Sequence, residues 1–213
     1  MILSTLQQLA ADLAGDPSQT RFSDKYVSCV NRAQEQFAMD SKALFKDTSY
    51  TTSSGDSTYD LPTDFILEQS VTYNGYPLKP ISRHTLYTLY PGTDWTLLEG
   101  TPTHYMIDPE EAVKTLRLIP IPQEAQTASM RYFPLPAEVS AVGDIVLNSS
   151  SLMAQFHMGI AAFAAWLLLT FETATPELVE KRRELMKIYQ DAVTKAIDTY
   201  GNTKSEALRM RPK

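Results

Sequence analysis

The side chains best suited to acid–base chemistry lie in one acidic segment, where Asp108, Glu110 and Glu111 surround Pro109. Two carboxylates held across a sugar-binding cleft can cleave a glycosidic bond, one as proton donor and the other as base or nucleophile. The same acids beside a proline are also typical of a solvated turn. The segment leaves both hypotheses open, a glycan hydrolase with Asp108 or Glu110 as its acid and a surface turn, and the residue types favour the turn.

The sequence gives little support for a metal site or a cofactor site. His84, His104 and His157 each lack a Cys, Asp or Glu at ligand spacing on the same element. The only cysteine, Cys29, excludes an internal disulfide and a multi-cysteine zinc site. Nucleophile-elbow, phosphate-loop, dinucleotide-binding and C-x-x-C motifs do not occur. We therefore expect no metal, no cofactor and no enzymatic activity.

Aromatic side chains suggest a possible binding surface. Tyr87, Tyr90 and Trp95 surround the turn-forming segment Pro91-Gly92-Thr93-Asp94. Such rings can stack on a sugar or a nucleobase. They can also belong to a loop that folds over a sheet or packs on a neighbouring protein, and this second interpretation is favoured.

The net charge of −6 over 213 residues, with a pI near 5.1, argues against broad binding of nucleic-acid phosphates. The longest apolar stretch, from Gly159 to Phe171, has roughly 13 residues, short of the ~20 needed to cross a bilayer. The N-terminal residues lack a basic leader, so we expect synthesis in the cytoplasm and no membrane partner. The mixed charges of residues 180–184 are typical of a solvated helix face.

Residues 202–213 form a short basic segment. One acid, Glu206, accompanies its cations, and it has only two large apolar residues. A cationic and weakly hydrophobic terminus becomes ordered by docking on an acidic partner, or else stays exposed. The residues predicted to dock are Lys204, Leu208, Arg209, Met210, Arg211 and Lys213.

Helical periodicity marks both ends of the chain. Apolar residues at three- and four-residue spacing from Ile2 to Leu13 predict a first helix that stops at Gly15. A second helix is expected after a Ser23 or Asp24 cap and should end near Phe45 or Lys46. A nearly all-apolar helix from Met153 to Phe171 precedes a last helix, which Thr175 and Pro176 begin and Gly201 should end.

Short strands are predicted between these helical ends. Residues 48–59 indicate a strand, a turn and another strand. Asn74-Gly75 between apolar residues predicts a β-hairpin with a type I′ turn, because both turn positions require positive φ. Pro77, Pro80, Pro120 and Pro122 predict edge strands or short pieces, since proline has no backbone N–H.

The order of elements predicts an α+β fold, a helical bundle made from both ends of the chain with a small antiparallel β subdomain inserted. The expected divisions are N-terminal helices at 1–47, the β-rich subdomain at 48–147, a C-terminal helix pair at 148–201 and a basic extension at 202–213.

Several motifs occur in a characteristic order. Tyr59-Asp60-Leu61-Pro62-Thr63-Asp64-Phe65 resembles the Y-x-L-P-x-D-F signature of phage head-to-tail adaptor proteins. Asn31-Arg32-Ala33 upstream and Tyr132-Phe133-Pro134-Leu135-Pro136 downstream are similar to further segments of that family. Each motif is short, but together they span most of the chain. The basic C-terminal extension does not align with the family pattern.

The resemblance implies a structural ring of about twelve copies in the virion neck. Its partners would be the portal protein and a tail tube or nozzle protein, with double-stranded DNA passing through without sequence-specific binding. The basic extension would bind the portal, and Tyr87, Tyr90 and Trp95 would dock the next tail component. Copies would pack together through four aromatic residues, Phe156, Phe163, Trp166 and Tyr189.

Other functions stay open at this point. Within the structural class, the alternative is a different neck or tail-completion protein, and the neighbour that the basic extension contacts discriminates between the two. Outside this class, the alternatives are a tail-borne glycan hydrolase and a glycan-binding module built on Tyr87, Tyr90 and Trp95, and the module would leave the helical half unexplained.

Overall fold

The computed structural model describes residues 2–108, 114–140 and 155–201. It divides into a helical unit, formed by Met1–Leu44 and Leu135–Lys213, and a β unit, formed by Phe45–Pro134. The fold is α+β, which confirms the predicted class. The helices are α1 (Leu3–Ala14), α2 (Tyr26–Ser41), α3 (Arg83–Leu89), α4 (His157–Leu169) and α5 (Pro176–Gly201). The strands are β1 (Lys46–Thr51), β2 (Thr58–Asp60), β3 (Phe65–Tyr73), β4 (Tyr76–Pro77), β5 (Lys79–Pro80), β6 (His104–Asp108), β7 (Thr115–Ile119) and β8 (Thr127–Pro134).

Helix α4 is the centre of the helical unit and packs against α1, α2 and α5. Nine of its 13 residues are buried, as its nearly continuous apolar sequence predicted. Within the described ranges, no helix combines the length and apolar character needed to span a bilayer.

Helix α1 ends as predicted. Gly15 adopts a left-handed conformation with φ of 82°, and its N–H donates to the carbonyls of Ala11 and Asp12. Helix α5 begins as predicted, because the Thr175 hydroxyl accepts a hydrogen bond from the Leu178 N–H at 3.2 Å and Pro176 follows it.

The predicted limits of α2 are wrong at both ends. The helix begins at Tyr26, after Lys25, and neither Ser23 nor Asp24 caps it. It ends at Ser41, followed by Lys42 with φ of 49°, and not near Phe45 or Lys46. From Phe45 onward the chain belongs to the β unit: the Phe45 ring contacts Phe133, and Lys46 begins β1 opposite Tyr132.

Two four-stranded sheets form the β unit, with strand orders β1-β8-β3-β4 and β2-β7-β6-β5. The predicted hairpin is confirmed, since Asn74 and Gly75 between β3 and β4 have φ of 48° and 80°. Pro77 and Pro80 lie in β4 and β5, the edge strands of their sheets, as proline requires. One buried cluster combines side chains of both sheets, including Val71 and Met130 from the first and Leu116 and Leu118 from the second.

The segment around Tyr87 and Trp95, expected to be a loop, contains α3 and a 3₁₀ turn at Trp95–Leu97. Ser82 caps α3 by accepting a hydrogen bond from the Thr85 N–H at 3.2 Å. Only Leu86 of this helix is buried. The helix has only seven residues, which is too short for an apolar period to stand out, so the sequence pattern could not predict it.

Candidate functional site

The Tyr59–Phe65 motif forms the connection between β2 and β3. The Phe65 N–H donates to the Pro62 carbonyl at 3.0 Å, which makes a tight turn. The turn places the Asp64 carboxylate against the Tyr132 hydroxyl at 2.8 Å and the Lys46 ammonium at 2.6 Å. Two of the segments that resemble the adaptor family, 59–65 and 132–136, therefore meet at Asp64 and Tyr132. The role of these motifs in the β unit is to join strands.

The contacts of Asp64 shift its acidity. Burial is the largest single influence and raises the pKa of the carboxyl. The hydrogen bonds from Lys46 and Tyr132, the charge of Lys46 and a backbone hydrogen bond all act in the other direction and together hold the pKa below 3.8. Burial and the same Asp64 carboxylate raise the pKa of Tyr132. The ionised form of Asp64 is thus the one that stabilises this corner of the β unit.

This lowered pKa predicts an acid-sensitive contribution to stability. A group whose pKa is depressed by folding stabilises the fold fully above its unfolded value, here 3.8, and loses that contribution as pH falls through the folded value. At about pH 6, we expect Asp64→Asn to have a lower thermal midpoint than the unmodified protein. At about pH 2.5, the difference between the two thermal midpoints should be smaller. Asp60→Asn, at an exposed neighbouring acid, is the control. If the thermal midpoints of Asp64→Asn and the unmodified protein depended on pH in the same way, ionised Asp64 would not be the group that stabilises this corner.

Asp108 lies in β6 with only 1% of its surface exposed, and its carboxylate pairs with the Arg83 guanidinium at 2.6 Å. The pair fastens α3 to β6. Glu110 and Glu111 lie outside the described residues. In the described ranges, no group of three histidine, cysteine or acidic side chains is placed to hold a metal ion.

The three aromatic residues proposed as a docking surface do not form a flat platform. Trp95 is buried with Leu86 and Met106, and Tyr90 packs partly buried beside them. Tyr87 is 63% exposed and meets the Trp95 ring edge to face, with centroids 6.4 Å apart. Tyr87 is thus the member of the three that a partner can reach.

The four aromatic residues expected between copies lie at different depths. Phe156 and Tyr189 are buried in the core of the helical unit, at 3% and 4% exposure. Phe163 is partly buried, with its ring centroid 4.6 Å from that of Tyr189. Trp166 is also partly buried and stacks on Phe163, with nearly parallel rings 5.5 Å apart. Tyr189, Phe163 and Trp166 form an aromatic stack that leads from the buried Tyr189 to the partly buried Trp166.

Three contacts in the helical unit were not predicted from the sequence. The Tyr189 hydroxyl donates to the Asp40 carboxylate at 2.5 Å, which fastens the end of α2 to α5. Burial, and then this carboxylate, raise the pKa of Tyr189. Asn31 holds Val139 by a reciprocal pair of hydrogen bonds, and Gly159 lies against Ala192 of α5. The Asn-x-Ala motif was the only sequence signal that pointed to any of them.

Asn31 and Gln34 also explain where the chain returns to the helical unit. Gln34 donates to the Ala137 carbonyl at 2.9 Å, and Asn31 holds Val139. Residues from Leu135 onward therefore group with the helices, earlier than the expected boundary at 147. The cationic and apolar residues of 202–213 lie outside the described residues.

The model of one protein family, described as SU10 adaptor protein, matches residues 1–212. No curated protein matches the chain. The family match includes the Tyr59–Phe65 motif, both N-terminal helices and the α4–α5 pair.

Proposed function

The chain belongs to the SU10 adaptor protein family, and on this premise we propose that it is a structural head-to-tail adaptor of a tailed phage. A ring of about twelve copies sits under the portal, joins it to the tail tube or nozzle and continues the DNA channel. The match over residues 1–212 carries the proposal, and it confirms the family resemblance of the sequence motifs. The role is mechanical and uses no cofactor or turnover.

Apolar groups on the surface of the helical unit support lateral packing in a ring. The partly buried Trp166, which stacks on Phe163, would contact a neighbouring copy, while Phe156 and Tyr189 lie in the core of their own chain. Helix α5 adds exposed apolar side chains that a neighbouring copy would cover. These are Val179, Ile188 and Ile197, at 44%, 37% and 45% exposure.

The α3 region of the β unit supports docking of the next tail component. Tyr87 is joined at the surface by Leu89 and Leu97, which are 54% and 72% exposed. Trp95 and Tyr90 lie beneath and hold the segment in place. A protein partner gains by covering such apolar groups.

The basic segment 202–213 and the acidic net charge have separate roles in the proposed ring. Cations of the 202–213 segment contact the portal, and Leu208 and Met210 add apolar contacts there. The net charge of −6 suits a channel through which DNA slides without sticking. The mature location is the neck of the virion, after synthesis in the host cytoplasm.

Another neck or tail-completion protein is the alternative, and the partner of residues 202–213 discriminates between the two. The glycan hypotheses gain no support from the described residues, because Trp95 is buried and the Asp108 carboxylate is ion-paired.

The proposal predicts a ring on the portal that depends on the basic segment. We expect the full-length protein to decorate the purified portal, with a mass increase of about twelve chains by native mass spectrometry and a ring by electron microscopy. A chain cut after Gly201 should lose the decoration. A full-length variant with Lys204, Arg209, Arg211 and Lys213 replaced by glutamine separates the effect of charge from that of length.

Failure of both full-length and truncated protein to bind the portal would contradict the adaptor role. Equal decoration by both would leave the ring intact and overturn the portal-binding role of residues 202–213.

A further inference from the structure

An open groove of about 890 Å³ runs along the outer side of α2 in the helical unit. Segment 137–139 and the end of α4 form its other wall. Its α2 positions recur at three- and four-residue spacing from Val27 to Met39, so the groove follows the helix for ~18 Å. We call it the α2 groove, and its lining comprises Asp24, Val27, Ser28, Cys29, Asn31, Arg32, Glu35, Gln36, Met39, Glu138, Leu167, Thr170 and Phe171.

Apolar side chains in the α2 groove remain accessible. Phe171 is 57% exposed and Met39 is 40% exposed, while Leu167 and Val27 are partly buried between them. The Lys25 ammonium lies 4.0 Å from the centre of the Phe171 ring. An occupant with one or two apolar side chains would remove this surface from water.

The charged residues that line the groove are mostly acidic. Asp24, Glu35 and Glu138 line the groove with one cation, Arg32, and the Lys25 ammonium lies beside the groove over the Phe171 ring. Among the described residues, none of these three acids forms an ion pair. A cationic occupant would therefore be favoured over a neutral or acidic one.

Residues 202–213 of this chain have the complementary composition. They contain four cations against Glu206, with Leu208 and Met210 as large apolar residues. No other stretch of a dozen residues in the sequence has so large an excess of cations over acids.

The end of α5 lies on the core-facing side of α2. The Tyr200 ring lies 6.2 Å from Phe156, and Phe156 lies 5.7 Å from Phe37 of α2. Phe37 and the groove residue Met39 are two residues apart, so they lie on opposite sides of the helix, which is ~10 Å across with its side chains. Residues 202–213 must therefore pass around α2 to enter the groove at its Met39 end. Twelve extended residues span up to ~40 Å, which covers this path and continues into the groove.

We propose that residues 202–213 dock in the α2 groove of their own chain, with Leu208 and Met210 toward its apolar floor and the cations toward Asp24, Glu35 and Glu138. Docking covers Phe171 and Met39 and neutralises the unpaired acids. This intramolecular docking is independent of the proposed adaptor function. If the segment also binds the portal, the groove and the portal compete for it, and the free protein holds the segment until the portal is present.

Photo-crosslinking in the full chain tests the proposal. A photoreactive p-benzoylphenylalanine replaces Leu208, and peptide mass spectrometry locates the crosslinks after irradiation. We expect most of them on residues that line the groove, such as Val27, Met39 and Phe171. The double variant Glu35→Lys, Glu138→Lys should lower their yield about threefold to tenfold, because it replaces two attractions by two repulsions. Glu184→Lys, at an exposed acid of α5 outside the groove, should leave the yield unchanged.

An equal mixture of isotopically light and heavy chains distinguishes the possible occupants. Crosslinks within one isotopic form support the proposal, whereas mixed light–heavy crosslinks in the groove would assign it to the segment of a neighbouring copy. Crosslinks scattered outside the groove, or a yield unaffected by the double variant, would overturn the proposal. Circular dichroism melts verify that each variant is folded. Portal decoration is measured separately, so its success or failure does not alter this result.

Discussion

Gly159→Ala is expected to destabilise the helical unit by about 2 kcal/mol, although alanine is the better helix former by ~1 kcal/mol. A Cβ added at position 159 would lie 2.4 Å from the Cβ of Ala192, a distance at which one of the two helices must move. Helix α4 is enclosed by α1, α2 and α5, so it cannot shift without disturbing their packing. The steric cost is therefore expected to exceed the gain in helix propensity.

Urea unfolding of a double-mutant cycle measures this effect. Ala192→Gly removes the atom that the new Cβ would meet, at a cost of ~1 kcal/mol for a glycine inside α5. In the Gly159→Ala, Ala192→Gly protein, we expect a stability close to that of Ala192→Gly alone or slightly above it. A single Gly159→Ala variant as stable as the unmodified protein would show that the two helices can separate freely.

Asn31→Ala is the second substitution with a large expected effect, a loss of about 2–3 kcal/mol. The Asn31 amide donates to the Val139 carbonyl and accepts from the Val139 N–H, both at 2.9 Å. It also accepts from the Gln34 amide at 3.0 Å. Val139 is buried, so alanine deprives its backbone N–H and carbonyl of the Asn31 amide in a place that water reaches poorly, whereas Gln34 still donates to the Ala137 carbonyl.

Two further variants separate these contributions. Asn31→Asp keeps an acceptor for the Val139 N–H but loses the donor to its carbonyl, so an intermediate loss of stability is expected. Gln36→Ala removes an exposed amide that bonds Asp40 one turn further along α2, and its effect should be within ~0.5 kcal/mol. Hydrogen exchange at the Val139 amide should accelerate in Asn31→Ala. A stability loss no larger than that of Gln36→Ala would contradict the structural role of Asn31.

Both substitutions test the scaffold that presents the proposed contact surfaces. Gly159 sets the separation of α4 and α5, and these helices carry Trp166 and the exposed apolar residues of α5. Asn31 holds one wall of the α2 groove, since Glu138 lies between the two residues that α2 binds. Reduced stability in either variant should therefore accompany weaker assembly.

Local signals in the sequence determined the ends of α1, the start of α5, the β3–β4 hairpin and the fold class. Each depends on residues close together in the chain: Gly15 after a helical stripe, Thr175 followed by Pro176, and Asn74 with Gly75. Capping and turn geometry are decided by one or two side chains and their own backbone, so a linear pattern contains the necessary information.

Only the tertiary structure decided what the remaining residues do. Asp64 meets Tyr132 across 68 positions, Asn31 meets Val139 across 108, and Tyr189 meets Asp40 across 149. The same long-range packing buried Phe156 and Tyr189, ended α2 at Ser41 and opened the groove beside it. These outcomes depend on which distant side chains compete for the same space and the same hydrogen-bond partners. Periodicity within a segment cannot report that competition.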